Sequence, residues 1–279
     1  MKQVSPIRVM GIVNLTDDSY YAPSRLLGAG RGRLVGHVGA MVAEGMDILD
    51  VGACSTRPGA RPVGADVEWT RLQPALEAIR EAFPDLEISI DTYWASVVRK
   101  AFEAIGPFLV NDISAGEDDP DMLPAVGALG LPYVAMHKRG TPATMLSLTD
   151  YDDVVEDVYR YFEVFAERAA AHGISDWILD PGFGFAKTVE QNYRLLADLG
   201  RFRAFGRPIL VGLSRKSMIY KHLGITPEEA LPATQALHMA ALERGASILR
   251  VHDVRPARET AALYATLSGS SSTTSSQLP

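Results

Sequence analysis

Asn14, Asp91, Asn111, Met136 with His137, Asp180, the run Ser214-Arg215-Lys216, and Arg250 with His252 each stand where a short apolar run ends. A polar residue in such a place most often caps a helix or satisfies a loop amide. Capping does not require this mixture of charges. Asp91, Asn111, Asp180 and Lys216 combine two carboxylates, an amide and an amine. A buried carboxylate accepts two parallel N–H bonds from an amidine- or guanidine-like edge. A fused heteroaromatic ring with an amino-pyrimidinone edge offers that pattern, and Asn and Lys read its remaining donors and acceptors. Arg250 and His252, with Arg57 and Asn14, form a second group suited to an anion, preferably a phosphate held bidentately. Asn14 adds a neutral oxygen of the kind that Mg²⁺ takes when it also binds substrate phosphates. The structural alternatives are a buried Asp180–Lys216 ion-pair network and a surface pair at Arg250 and His252. Asp50 lies inside an apolar run and reads as a structural support behind the site.

Other chemistries find little footing. There is no HExxH, no G-x-S-x-G, and no zinc-like clustering of the six histidines and one cysteine. Lys216 at the end of an apolar run could form a Schiff base, as in an aldolase, but Ser214 and Arg215 beside it look more like a substrate grip. Cys54 reads as a small apolar loop residue rather than a nucleophile. The stretch "LDPGFGFAKT" (179–188) comes near a phosphate-binding P-loop, yet Pro181 and Ala186 occupy the places of its two glycines. Lys187 is expected outside direct substrate contact.

The elements that must position these residues are legible. Apolar runs occur at 7–13, 47–51, 87–90, 108–110, 132–136, 177–180, 208–212 and 247–251. Helical patterns lie near 66–83, 94–105, 120–129, 152–171, 189–199, 227–244 and 255–266, clearest where Val155, Val158, Phe162, Phe165 and Ala169 recur at helical spacing. Eight alternating units predict a parallel, closed (β/α)8 barrel of the TIM type. An open doubly wound sheet is the alternative, but no Gly-rich dinucleotide loop follows the first run. In a barrel the run ends converge on one face. Two connections, 14–33 and 52–65, are long enough to be lids or binding loops. One domain is expected over 1–267, followed by a disordered Ser/Thr-rich tail at 268–279.

The 279 residues are 47% hydrophobic and 22% charged, with a formal charge of −7. That balance disfavours a nucleic-acid partner. A single cysteine excludes an internal disulfide and fits a reducing, cytoplasmic setting. No signal peptide or membrane span is expected.

In this order the motifs resemble those of the dihydropteroate synthases, from about Val9 to Leu263. "MGIVNLTDDS" carries Asn14. "DVGACSTRPGA" carries Thr56, Arg57 and Pro58. "SIDT" and "VNDIS" carry Asp91 and Asn111, and "MHKRGTPATM" carries Met136. "LDPGFGFAKT" carries Asp180 and Phe185. "LVGLSRKSMI" carries Gly212, Ser214 and Lys216, and "RVHDV" carries Arg250 and His252. Asp17 (usually Pro), Ala53-Cys54 (usually Gly and an acidic or amide residue) and "YYAPSRLLGAG" depart from the family pattern, all within the two long connections.

The resemblance implies condensation of 6-hydroxymethyl-7,8-dihydropterin pyrophosphate with 4-aminobenzoate, giving dihydropteroate and pyrophosphate. Asp91, Asn111, Met136, Asp180, Phe185, Gly212 and Lys216 would hold the pterin. Asn14, Arg57, Arg250 and His252 would hold the pyrophosphate, with Mg²⁺ at Asn14. Thr56, Pro58, Ser214 and Lys216 would hold 4-aminobenzoate. The catalytic set would be Asn14, Arg57, Asp91, Lys216, Arg250 and His252. The two long loops are expected to close over the leaving group, and a homodimer is implied. A pterin-binding methyltransferase acting on a methylated folate and a corrinoid protein shares the ring grip but has no need of the anion group. A catalytically silent pterin-binding homologue is the other alternative.

Overall fold

The computed structural model describes residues 6–15, 30–54, 63–141 and 143–269. Most of both long connections, with Thr56, Arg57 and Pro58, and the tail beyond residue 269 lie outside the described residues.

Eight parallel strands form one sheet: β1 (Arg8–Asn14), β2 (Ile48–Gly52), β3 (Glu87–Asp91), β4 (Leu109–Asp112), β5 (Tyr133–Met136), β6 (Trp177–Asp180), β7 (Leu210–Val211) and β8 (Ile248–Val251). Their spatial order runs β6-β5-β4-β3-β2-β1-β8-β7. A parallel bridge from Leu179 to Ile209 joins the two ends and closes the barrel. The expected barrel is the observed one, and the open sheet is excluded by that closure.

Strand periodicity explains what faces inward. Successive side chains on a strand alternate between faces. Met10, Ile48, Leu109, Val134, Ile178, Leu210 and Ile248 form a separate apolar cluster that plugs the barrel interior. Two residues further along, on the same face, stand Ile12, Asp50, Asn111, Met136, Asp180, Gly212 and Arg250. The interior therefore changes from apolar to polar within one step of the pleat. The intervening residues, such as Val9, Leu49, Val110, Tyr133, Leu179 and Leu249, belong to the larger cluster under the helices.

The helices are α1 (Arg31–Ala43), α2 (Ala65–Ala82), α3 (Ala95–Ile105), α4 (Met122–Leu129), α5 (Val154–Ala171), α6 (Val189–Ala197), α7 (Ser217–Leu223), α8 (Leu231–Glu243) and α9 (Val254–Leu267). In α5, Val155, Val158, Phe162, Phe165 and Ala169 are buried, as the spacing predicts, and the Asp153 side chain caps its first turn. Thr188 and Gln191 close a capping box at α6. Two helices fall outside the seven expected segments. In α1, Gly32, Gly36 and Gly39 weaken the helical signal, while Leu34, Val38 and Met41 are buried one and two turns apart. In α7, seven residues are too few to show a periodicity. Among the described residues no helix is long and apolar enough to cross a membrane.

One buried charge stands apart. Glu68 of α2 is fully buried, and neither carboxylate oxygen has a hydrogen-bond partner. Burial raises its carboxyl to about 7; the nearby Thr92 hydroxyl pulls the other way, but is too weakly placed to count as a hydrogen bond. Its stabilising contribution is complete below the ordinary value of 4.5 and is lost as pH rises through about 7. Glu68→Gln has no such loss. Its stability relative to the wild type should improve by up to about 3 kcal/mol between pH 5 and pH 8.5. Urea unfolding at the two pH values reads this, and parallel pH dependence in both proteins would contradict it.

Candidate active site

The site is built around Asp50. Ser89 Oγ donates to its Oδ1 at 2.7 Å, Asn111 Nδ2 lies 3.2 Å from both oxygens, and Arg250 Nε donates to Oδ2 at 2.7 Å. Four strands, β2, β3, β4 and β8, meet on one carboxylate that is 0% exposed. Arg250 continues the chain, with Nη2 donating to Asp91 Oδ2 at 2.7 Å. The ring-edge group and the anion group of the sequence reading are thus joined in space by Arg250. Asp50 is the support expected of it, and it also sets the orientation of Asn111. With Nδ2 committed to Asp50, Asn111 presents Oδ1, an acceptor, to a ligand.

Burial opposes the charge of Arg250, but Asp50 and Asp91 more than offset it and hold the guanidinium above its ordinary value. For Asp91, burial pushes the carboxyl up to about 7, against the pull of Arg250. A guanidinium at 2.7 Å favours the ionised carboxylate, so Arg250 is the group that opposes the effect of burial on Asp91.

Asp180 ends β6, almost fully buried. Its Oδ1 accepts from Gly182 N–H at 2.8 Å. Gly182 is the one hydrogen-bond donor to this carboxylate among the described residues, and none of them donates to Oδ2. Burial raises the Asp180 carboxyl, and Lys216 opposes that shift. The Lys216 amine donates to the Phe183 carbonyl and lies 4.7 Å from the Phe185 ring centroid. Burial lowers it to about 8, with Asp180 pulling upward, so it remains mostly cationic at pH 7. Gly212 lies close to that amine, where a Cβ would sit 3.9 Å from Nζ, in ordinary contact. Met136, Ile113 and Tyr93 form an apolar wall against which Phe185 and Cys54 pack. Burial raises the Cys54 thiol, which argues against a thiolate nucleophile.

Lys216 owes its direction to Arg215, which the sequence marked only as a neighbour. Arg215 is a non-glycine residue at φ 53°. It makes two bonds to the Asp253 carboxylate at 2.8 and 3.0 Å, and two more to the carbonyls of Pro227 and Glu228. That anchorage turns the following residue inward. A basic residue between two candidates gives no sequence signal that it points the other way.

Ser214 Oγ lies 3.0 Å from His252 Nδ1, and His252 N–H also donates to Ser214 Oγ at 3.2 Å. Asn14 ends β1 in register with Gly52, which pairs with Asp91. Asn14 therefore stands on the rim two strands from Asp91. Burial and then Arg250 push the His252 imidazole down to about 4. It is neutral at pH 7, and in the tautomer with Nδ1 accepting from Ser214 Oγ the ring proton sits on Nε2. NMR titration of the free protein should show the His252 ring neutral from pH 8 to below 5. A midpoint near 6.5 would contradict this geometry.

Comparisons with known proteins agree with one another. The family model for pterin binding enzymes matches residues 10–252. The dihydropteroate synthase of Escherichia coli K12 is 42% identical over 252 residues, covering 88% of this chain and 86% of that protein. That of Synechocystis is 41% identical over 249 residues, covering 88% and 85%. Among solved structures, the Yersinia pestis dihydropteroate synthase with a sulfonamide drug superposes with a TM-score of 0.90 at 36% identity, covering 95% of this chain and 96% of that one. The Thermus thermophilus enzyme in complex with 4-aminobenzoate gives 0.83 at 38% identity, covering 95% of each. The barrel, the polar layer above its plug and these matches place the chain in the pterin-binding enzyme family, among the dihydropteroate synthases.

Proposed function

We propose that the C-terminal end of this barrel condenses 6-hydroxymethyl-7,8-dihydropterin pyrophosphate with 4-aminobenzoate in folate biosynthesis. The observation that carries the site assignment is the Asp180 carboxylate, buried at a strand end near Lys216, with Gly182 on Oδ1 and no described donor on Oδ2. It accepts the paired N–H groups of the pterin edge. Asn111 Oδ1 takes a ring N–H, Lys216 donates to a ring acceptor, and Asp91 closes the edge beside Arg250. Met136 and Phe185 pack on the ring faces, above Gly212.

The pyrophosphate lies toward β8. Arg250 uses Nε and Nη2 on carboxylates, which leaves Nη1 to the anion, and His252 donates through Nε2–H. Arg57 joins them from outside the described residues. Among the described residues no three His, Cys, Asp or Glu side chains cluster as a metal site. A single carbonyl from Asn14 fits Mg²⁺, which keeps most of its waters and takes its other ligands from substrate phosphates. When bound there, Mg²⁺ would neutralise charge on the leaving group.

The reaction breaks the bond between the exocyclic methylene and the pyrophosphate oxygen, and the electron pair leaves with the pyrophosphate. Arg250 and His252 meet the charge that grows there. The electron-rich dihydropterin carries the positive charge left on the methylene. The neutral aryl amine of 4-aminobenzoate, held by Ser214, the Lys216 backbone, Thr56 and Pro58, forms the new C–N bond and then loses a proton. No strong general base is required. We further propose a homodimer in the cytoplasm, where the single thiol stays reduced.

Incubation with both substrates and Mg²⁺ should yield dihydropteroate and pyrophosphate in equal amounts. Asp180→Asn should bind 6-hydroxymethylpterin on the order of 100-fold more weakly, because one carboxylate–donor pair is lost and one N–H faces N–H. Calorimetry reads this, and an affinity within twofold of wild type would remove Asp180 from the pterin grip.

A further inference from the structure

Lys187 is used by none of the chemistry above, yet it is one of the most enclosed cations in the chain, with 8% exposure. Its ammonium reaches three acceptors: His137 Nδ1 at 2.9 Å, Gly182 O at 3.0 Å and Phe185 O at 3.1 Å. No carboxylate among the described residues lies within ion-pair distance of it. Burial pushes the Lys187 amine well below its ordinary value, with Asp180 pulling upward; the three neutral acceptors match the three N–H bonds of the ammonium form and favour it. Burial keeps His137 neutral, and Lys187 adds to that effect, so Nδ1 is free to accept.

The backbone is shaped around this contact. Gly182, Gly184 and Ala186 alternate in the left-handed region, at φ 71°, 81° and 49°. At Ala186, an L-residue, that conformation costs about 1 kcal/mol. The alternation shares the carbonyls between two lysines. Those of Gly182 and Phe185 meet Lys187, whereas that of Phe183 meets Lys216. A Cβ at Gly182 would lie 1.9 Å from the His137 carbonyl oxygen, so the loop is pressed on the end of β5. From α6, Asn192 accepts from Gly184 N–H at 2.7 Å and donates to the carbonyls of Lys187 and Thr188.

We propose that Lys187 is a positioning residue for the pterin grip, fixing the 181–187 loop so that Asp180, the Phe183 carbonyl and the Phe185 ring are set against Lys216 before substrate arrives. The claim rests on reading the cavity as a pterin site. Lys187 acts through its neighbours and touches no substrate. In its ammonium form Lys187 also adds a small pull toward the ionised Asp180 carboxylate, beside the larger one from Lys216.

Lys187→Met keeps the stem and removes the donors. In the ligand-free protein, amide hydrogen exchange across 182–187 should quicken at least tenfold. Calorimetry should show 6-hydroxymethylpterin binding weakened about 10- to 100-fold, the scale on which misplacement by about 1 Å acts. KM for 4-aminobenzoate should stay within twofold. Unchanged exchange, or quickened exchange with pterin affinity intact, would overturn the proposal. If the wild type itself takes no pterin, the pocket assignment falls and the positioning role with it, while the exchange comparison still reports whether Lys187 holds the loop. If Lys187→Met does not fold, Lys187→Arg serves, since a planar guanidinium cannot converge on the same three acceptors. It should show the same loss of pterin affinity at nearly unchanged Tm, and wild-type affinity would overturn the proposal.

Discussion

A carboxylate with no access to water, Asp50, holds four strands in a fixed relation. Ser89, Asn111 and Arg250 all donate to it, and Arg250 passes the connection on to Asp91. A buried ion pair of this kind is a weak source of stability, because desolvation offsets most of the attraction. Its value here is geometric. It orients an amide, fixes a guanidinium and holds a second carboxylate, directly above an apolar plug that cannot contribute polarity of its own.

The rest of the pocket repeats the device with lysines. Lys216 and Lys187 divide the carbonyls of one loop between them. The left-handed residues Gly182, Gly184 and Ala186 make that division possible. Arg215 does the same for the next loop by fastening to Asp253 and to two carbonyls. In the proposed site, Lys187 and Arg215 touch no substrate and place groups that do, Lys216 among them. A site prepared in this way needs little rearrangement when charge develops.

The barrel and the inward polar layer were legible because period-2 alternation and residue chemistry are both local signals. Asn111, Asp180, Lys216 and Arg250 could be named from the strand ends alone. What each one bonds to could not, since Asp50 and Arg250 lie 200 residues apart. Hence the sequence separated a ring group from an anion group, where the fold joins them through Arg250. The helix α1 escaped because three glycines blur its pattern, and its buried stripe shows only against the barrel. For Lys187 the sequence offered only the expectation that it lies away from substrate. Its three acceptors exist only once the 181–187 loop is folded. Of the family departures, Asp17 and all but the last residue of "YYAPSRLLGAG" fall outside the described residues, whereas Ala53 and Cys54 are described and Cys54 packs on the ring-pocket wall.

The central claim is that Asp50, without touching substrate, sets the pocket. The most direct measurement is kcat/KM for the pterin pyrophosphate in Asp50→Asn, taken alongside its unfolding midpoint. The variant keeps the shape and removes the charge that fixes Arg250. The account predicts a folded protein whose kcat/KM falls on the order of 100-fold, as expected when a buried partner is left uncompensated. A folded Asp50→Asn protein with kcat/KM within twofold of wild type would contradict it.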